Sequence, residues 1–202
     1  MFHEFDGLGP ESLHLIRQWG RRGWGGVAAD LYGLQVRPLG RGESSLRARA
    51  LRECPGPLRS RIRGWWDHVL ALPGFSPEHT LLCGSSFGGH GVIQGLQAGL
   101  RPLGAVSLYG YLDPPAPGAS WGSPLLALLA GRDEVVPLLG AQAFLQAWSE
   151  GGFPGRAVLL PEAAHGFLRP GGGPPERLWA EQAWREVDRF LEDLPFAEVG
   201  ER

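Results

Sequence analysis

Gly84-Ser85-Ser86-Phe87-Gly88 is the stretch that decides the fold, because it joins two segments of different hydrophobic pattern. The apolar run Thr80-Leu81-Leu82-Cys83 before it predicts a strand, and residues 87–100 after it read as a helix. Glycines two positions before and after a serine permit a tight turn in which strand and helix approach closely and the serine backbone is strained. This context makes Ser86 a candidate nucleophile at the carboxyl edge of a parallel sheet.

Outside this turn, apolar runs with strand character alternate with segments of helical periodicity. The runs are residues 26–29, 80–83, 105–109, 124–130 and 157–160, and the helical segments are 58–72, 87–100, 138–148 and 176–194. Such alternation predicts an α/β fold with a mainly parallel sheet flanked by helices. Three stretches dense in Gly or Pro, 37–42, 113–122 and 170–175, predict loops that are too short to link domains. We therefore expect a single domain over residues 1–202.

The composition excludes several function classes. All 19 basic residues are arginine, and the formal net charge is −2. The absence of lysine rules out lysine Schiff bases, a P-loop lysine and a Ser-Lys dyad. A weakly acidic chain also has no general attraction for nucleic acid or for an anionic membrane.

The two cysteines and the N-terminal residues indicate in which cellular compartment the protein resides. Cys54 and Cys83 do not form the pattern of a disulfide framework. Glu4 and Asp6 stand where a signal peptide would carry basic residues, and the long uncharged stretches are broken by Gly or Pro. We predict a soluble, cytoplasmic protein that does not enter a membrane.

A serine nucleophile requires a base, and the base requires a carboxylate that orients it. Asp133 and His165 each come shortly after an apolar run, and the order Ser, Asp, His is that of α/β-hydrolases. Ser86, Asp133 and His165 are therefore a candidate catalytic triad. The alternatives are a helix-capping carboxylate before Pro137 and an ordinary loop histidine, and Asp113 is a second candidate for the acid.

Acyl transfer also requires donors for an oxyanion. One donor would be the backbone N–H of Phe87, the residue after the nucleophile. The other would come from the turn at residues 3–7, before a helix that begins near Pro10, with the Phe5 N–H as the expected donor.

Five further histidines carry weaker signals. His14, His68 and His90 lie in helical segments, His79 precedes a strand, and His3 lies in the N-terminal turn. We interpret all five as structural.

Several motifs together resemble those of the dienelactone hydrolase family of α/β-hydrolases. They are His3-Glu4 before a turn, Ala28-Ala29-Asp30-Leu31-Tyr32-Gly33, Gly84-x-Ser86-x-Gly88-Gly89, Gly131-x-Asp133-x-x-Val136-Pro137 and His165-Gly166-Phe167. The resemblance spans nearly the whole chain. It implies hydrolysis of a small ester or lactone by the Ser86, Asp133 and His165 triad, without a metal or cofactor.

The same resemblance assigns roles to charged residues. Glu4 matches a glutamate that contacts the resting nucleophile, and Arg169 matches an arginine that binds a substrate carboxylate. A second such arginine is expected between Gly42 and Cys54, where Arg47 or Arg49 would match it.

Two departures from the family pattern modify these expectations. The dienelactone hydrolases proper carry cysteine at the turn, so Ser86 shifts the expectation toward a general carboxylesterase. The family has strands before its counterpart of His3-Glu4, and we expect these N-terminal strands to be truncated here.

Other functions stay open at this point. A non-catalytic α/β-hydrolase relative would use the same pocket to bind a small molecule, and an acyl transferase or peptidase would use the same triad. Nucleic-acid binding by residues 41–63, which hold seven arginines, is the weakest alternative because the net charge is negative.

Overall fold

The computed structural model describes residues 1–33, 40–116 and 118–195. Within these ranges a parallel sheet has four strands in chain order: β1 Leu81–Ser85, β2 Gly104–Leu108, β3 Leu125–Arg132 and β4 Gly155–Ala164. The helices of the same ranges are α1 Pro10–Gly20, α2 Arg41–Glu53, α3 Pro55–Leu70, α4 Phe87–Gln97, α5 Leu138–Gly151 and α6 Pro174–Glu192, with a 3₁₀ turn at Pro77–His79. The predicted α/β fold, a parallel sheet flanked by helices, is confirmed.

The helices cover both faces of the sheet, which explains why β1, β2 and β3 are almost entirely buried, whereas most residues of the edge strand β4 are exposed or half-buried. Along β3, Leu125 and Ala127 pack into one core cluster with α3, α4 and α5, whereas Leu126 and Leu128 pack into a second cluster with α1 and α6. All four side chains are inaccessible to solvent. Burial of each leucine contributes about 1.5–3 kcal/mol, so the middle of the sheet is a rigid support for its carboxyl edge.

The N-terminal residues lie beside β1 and not in a strand of their own. Phe2 bridges Gly84 on one side and Ala29 on the other, and its N–H donates to the Cys83 carbonyl at 2.8 Å. The predicted strand over residues 26–29 is therefore wrong except at Ala29. Gly25 and Gly26 precede this bridge, and glycine weakens a strand because it has no side chain to pack.

Two predicted loops differ from the structure at their ends. Residues 34–39 lie outside the described part of the chain, and α2 begins at Arg41, inside the stretch predicted as the loop 37–42. The prediction missed α2 because its apolar stripe is weak, and Leu46 is 69% exposed. The loop predicted over 170–175 ends where α6 begins at Pro174, a residue suited to a first helical turn.

No helix in the described ranges is both long and apolar enough to cross a membrane.

Candidate active site

The turn after β1 has the strained geometry that its glycines predict. Ser86 lies between β1 and α4 with φ of 54°, a conformation that is uncommon for a residue with a Cβ. A Cβ on Gly84 would come closer than 3.0 Å to the backbone of Gly88, and one on Gly88 would come equally close to the Phe2 carbonyl. The small residues thus allow strand, helix and N-terminal segment to meet behind Ser86.

Three distant side chains converge at this turn. The Ser86 Oγ lies 2.9 Å from His165 Nε2, and His165 Nδ1 lies 2.8 Å from Asp133 Oδ2. Because an ionised carboxylate only accepts hydrogen bonds, Nδ1 carries the proton and Nε2 accepts from the serine hydroxyl. The arrangement is that of a nucleophile with its base and the group that orients the base.

The strand ends determine where the acid and the base lie. Asp133 follows β3 directly, and its Oδ1 accepts the N–H groups of Val135 at 2.8 Å and Val136 at 2.7 Å. The carboxylate therefore fixes its own loop as well as the imidazole. The alternative of a helix cap is wrong, because the N-cap of α5 is Pro137 and no side chain in the described part of the chain caps that helix. His165 follows β4 directly, because that strand runs to Ala164 and replaces the short loop predicted before the histidine.

Asp113, the second candidate for the acid, lies away from the triad. Its Oδ2 accepts a hydrogen bond from Gln94 Nε2 at 2.6 Å and lies 3.8 Å from Nδ1 of His90. His90 is fully buried, and neither ring nitrogen has a hydrogen-bond partner in the described ranges. Burial lowers the pKa of His90, and the Asp113 carboxylate opposes that effect only in part.

The two expected oxyanion donors lie on adjoining segments. Phe87 is the first residue of α4, where backbone N–H groups have no partner within the helix. Tyr32 joins the segments, since its ring stacks on Phe87 with centroids 5.4 Å apart and its hydroxyl donates to the Phe5 carbonyl at 2.5 Å. Neither the Phe5 nor the Phe87 N–H donates to another group in the described part of the chain.

Glu4 and Arg169 are bound to each other. The Glu4 carboxylate, 2% exposed, accepts from Arg169 Nε at 2.9 Å and Nη2 at 2.5 Å, and from the Tyr109 hydroxyl at 2.9 Å. The structure thus places Glu4 on Arg169 and Tyr109 and not on Ser86, because a guanidinium gives a buried carboxylate its strongest hydrogen bonds. Burial disfavours the charged arginine, but Glu4 outweighs it and raises the pKa of Arg169.

The arginines of α2 differ in what they contact. Arg47 pairs with Glu43 at 2.7 Å and Arg49 pairs with Glu53 at 2.7 Å, each within the helix. Arg52 instead lies over the ring of Tyr111, 3.9 Å from its centroid.

Arg52 thus reaches the loops around the site, as does Arg41, whose guanidinium lies 5.9 Å from the centroid of the Phe5 ring, and sequence reasoning singled out neither. The Tyr111 hydroxyl donates to the Val135 carbonyl at 2.7 Å, in the loop that Asp133 holds. Tyr109 was also missed as a site residue, although its place at the end of a predicted strand is where α/β proteins collect functional groups.

No group of three or more His, Cys, Asp or Glu side chains in the described ranges is arranged to hold a metal ion.

Comparison with known proteins agrees with the geometry. The sequence profile of the dienelactone hydrolase family matches residues 1–194. A search of curated proteins gives no significant match.

Solved structures share the fold at low sequence identity. A dienelactone hydrolase-like promiscuous phosphotriesterase, P91, from metagenomic libraries is 20% identical, with a TM-score of 0.83, over 96% of this chain and 85% of its own. An α/β hydrolase enzyme, MGS-M1, from a Medee basin deep-sea metagenome library is 15% identical, with a TM-score of 0.60, over 95% and 84%. Thermogutta terrifontis esterase 2, phosphorylated by paraoxon, is 20% identical, with a TM-score of 0.53, over 69% and 63%.

Proposed function

We propose that this chain, which belongs to the dienelactone hydrolase family, cleaves a small carboxylic ester or lactone through an acyl-serine intermediate. The observation that carries the proposal is the continuous hydrogen-bonded path from Ser86 Oγ through His165 to Asp133. Family membership supports an ester-cleaving hydrolase, and the path supports serine as its nucleophile.

Acylation begins when Ser86 Oγ attacks the carbonyl carbon of the substrate. His165 Nε2 takes the hydroxyl proton, and Asp133 stabilises the imidazolium that forms. The Phe87 and Phe5 N–H groups bind the oxyanion, and each such donor contributes about 10²–10³-fold to turnover. As the C–O bond breaks, His165 returns the proton to the leaving alkoxide, which in a lactone stays attached to the acyl group.

Deacylation repeats the same steps with water as the nucleophile. His165 Nε2 removes a proton from the water while its oxygen attacks the acyl carbon. Collapse of the second tetrahedral intermediate breaks the bond to Ser86 Oγ, and the proton on His165 passes to that oxygen. The products are a carboxylic acid and an alcohol, or one hydroxy acid from a lactone.

The surroundings of Arg169 favour a substrate that carries a carboxylate in addition to its ester or lactone group. Its side chain is 37% exposed, and Nη1 has no partner among the described residues while Glu4 engages Nε and Nη2. A carboxylate that approaches from the solvent side therefore finds a free N–H face on a fixed cation.

Covalent labelling with paraoxon and hydrolysis of p-nitrophenyl acetate test the proposal. Paraoxon is a suitable probe because the Thermogutta esterase has been phosphorylated by it. We expect labelling of the peptide that contains Ser86, and Ser86→Ala should lose labelling and more than about 10⁴-fold of turnover. Ser85→Ala is the matched control, since Ser85 is its buried neighbour at the end of β1.

The outcomes separate the candidate functions. Turnover that survives Ser86→Ala would overturn the serine mechanism. A folded wild-type protein with neither label nor turnover would favour the non-catalytic binding protein. A small lactone that carries a carboxylate, compared with its methyl ester, tests the role of Arg169.

A further inference from the structure

Tyr109 shares the unusual backbone conformation of the proposed nucleophile. Ser86 at φ 54° and Tyr109 at φ 41° are the non-glycine residues with positive φ in the described ranges. They lie side by side, because Ser85 pairs with Leu108 across β1 and β2 and the Ser86 N–H donates to the Leu108 carbonyl at 2.9 Å. Strain of this kind persists only where surrounding contacts impose it.

The Tyr109 side chain contacts the histidine loop, residues 165–169, at several points. Its ring packs edge to face on His165, with centroids 5.1 Å apart and planes at 72°, and on Phe167 at 4.8 Å and 69°. Its hydroxyl donates to Glu4, and Glu4 holds Arg169. One side chain therefore braces the beginning, the middle and the end of this loop.

We infer that Tyr109 is a positioning residue that holds the His165 imidazole in line between Ser86 and Asp133. The inference rests on the proposed function. It also explains why a tyrosine occupies a strained position. Glycine would adopt φ 41° freely, but it has no ring to pack against the His165 imidazole. The bond to Glu4 fixes the rotation of the ring, and burial together with Glu4 raises the pKa of the Tyr109 hydroxyl, which stays protonated as a donor.

Two substitutions separate the ring from the hydroxyl. Tyr109→Leu removes the aromatic ring that packs against His165. Tyr109→Phe keeps this ring contact but loses the hydrogen bond to Glu4. We expect Tyr109→Leu to lower kcat about 10²-fold with little change in KM, since small displacements of catalytic groups have effects of this size. Tyr109→Phe should lose less than about tenfold, because the ring contacts remain.

A spectroscopic readout reports the position of the imidazole directly. The Nδ1 proton between His165 and Asp133 should give a far-downfield proton resonance in wild type and in Tyr109→Phe. The same resonance should broaden or vanish in Tyr109→Leu. Phe144→Leu is the control: Phe144 lies on α5 and is equally buried in the core, and its loss should lower thermal stability without changing kcat or the resonance.

The inference fails if Tyr109→Leu folds with wild-type kcat and a sharp resonance, or if Phe144→Leu lowers kcat as much as Tyr109→Leu does. The NMR comparison needs no substrate. If wild type neither hydrolyses esters nor reacts with paraoxon, the proposed function fails, yet the resonance in wild type and Tyr109→Leu still decides whether Tyr109 positions His165.

Discussion

Two histidine–aspartate pairs lie near the carboxyl edge of the sheet, and their surroundings differ. His165 and Asp133 are 2.8 Å apart, the carboxylate is 2% exposed, and the imidazole also contacts Ser86. His90 and Asp113 are 3.8 Å apart, and Asp113 is 45% exposed and bonded to Gln94. The same residue types thus form a chain of two hydrogen bonds at His165, whereas at His90 the carboxylate lies beyond hydrogen-bonding distance.

This difference is the physical reason for proposing His165, and not His90, as the base. A buried carboxylate at hydrogen-bonding distance supports the charged imidazole, whereas a solvated carboxylate farther away is screened by water. His90 is fully buried, and this burial lowers its pKa and so favours the neutral imidazole. His165 keeps 9% of its side chain exposed, and its Nε2 lies 2.9 Å from Ser86 Oγ.

The sharpest separation of the two pairs comes from replacing each histidine with leucine. His165→Leu should abolish turnover of p-nitrophenyl acetate, with a loss of about 10⁴–10⁶-fold, because no other group accepts the Ser86 proton. His90→Leu should keep wild-type kcat, because His90 touches no reacting atom. Steady-state kinetics on folded protein checks both variants. Equal losses of kcat would show that the two histidines do not differ in role and would contradict the assignment of His165 as the base.

Replacing each aspartate with asparagine tests the acids in the same way. Asp133→Asn should lower kcat by about 10³–10⁴-fold, because an amide favours the wrong tautomer of His165. Asp113→Asn should stay within about twofold of wild type, since its amide oxygen still accepts from Gln94. If Asp113→Asn proved the more damaging change, the acid would have to be reassigned to the end of β2.

The smallest expected effect is on stability at acidic pH. The folded-state pKa of His90 lies below its ordinary value of 6.5, so the unfolded chain binds more protons as pH falls below that value. His90 therefore lowers the free energy of unfolding on acidification, by at most about 1.4 kcal/mol per pH unit. In His90→Leu this contribution is absent.

Urea unfolding of wild type and His90→Leu between pH 5 and 8 measures the difference. We expect the free energies of unfolding of the two proteins to change in parallel above pH 6.5. Below pH 6.5 the free energy of unfolding of His90→Leu should fall less steeply than that of wild type. His14, whose pKa burial also lowers, is present in both proteins and cancels from the comparison. If the two plots of unfolding free energy against pH stayed parallel from pH 5 to 8, His90 would have the same pKa in the folded and the unfolded chain, and the prediction would be wrong.

The centre of the fold followed from local sequence signals. Gly84 and Gly88 predicted the tight turn because only glycine tolerates that backbone approach, and uninterrupted apolar runs predicted β1 to β4. The order rule also selected Asp133 and His165, which the structure brings to Ser86.

Long-range pairing between charged side chains was not predictable in the same way. Glu4 and Arg169 are 165 positions apart, and their contact depends on how the N-terminal turn and the histidine loop meet around Tyr109. Periodicity reports which face is buried and carries no information on such partners.

Gly88 has a consequence for motion. Because it lacks a Cβ, the Phe2 and His3 carbonyls rest directly against the first turn of α4, and the loop that bears the Phe5 N–H continues from them. The two expected anion donors are therefore coupled through this backbone contact as well as through Tyr32, and thermal displacement should carry them in step.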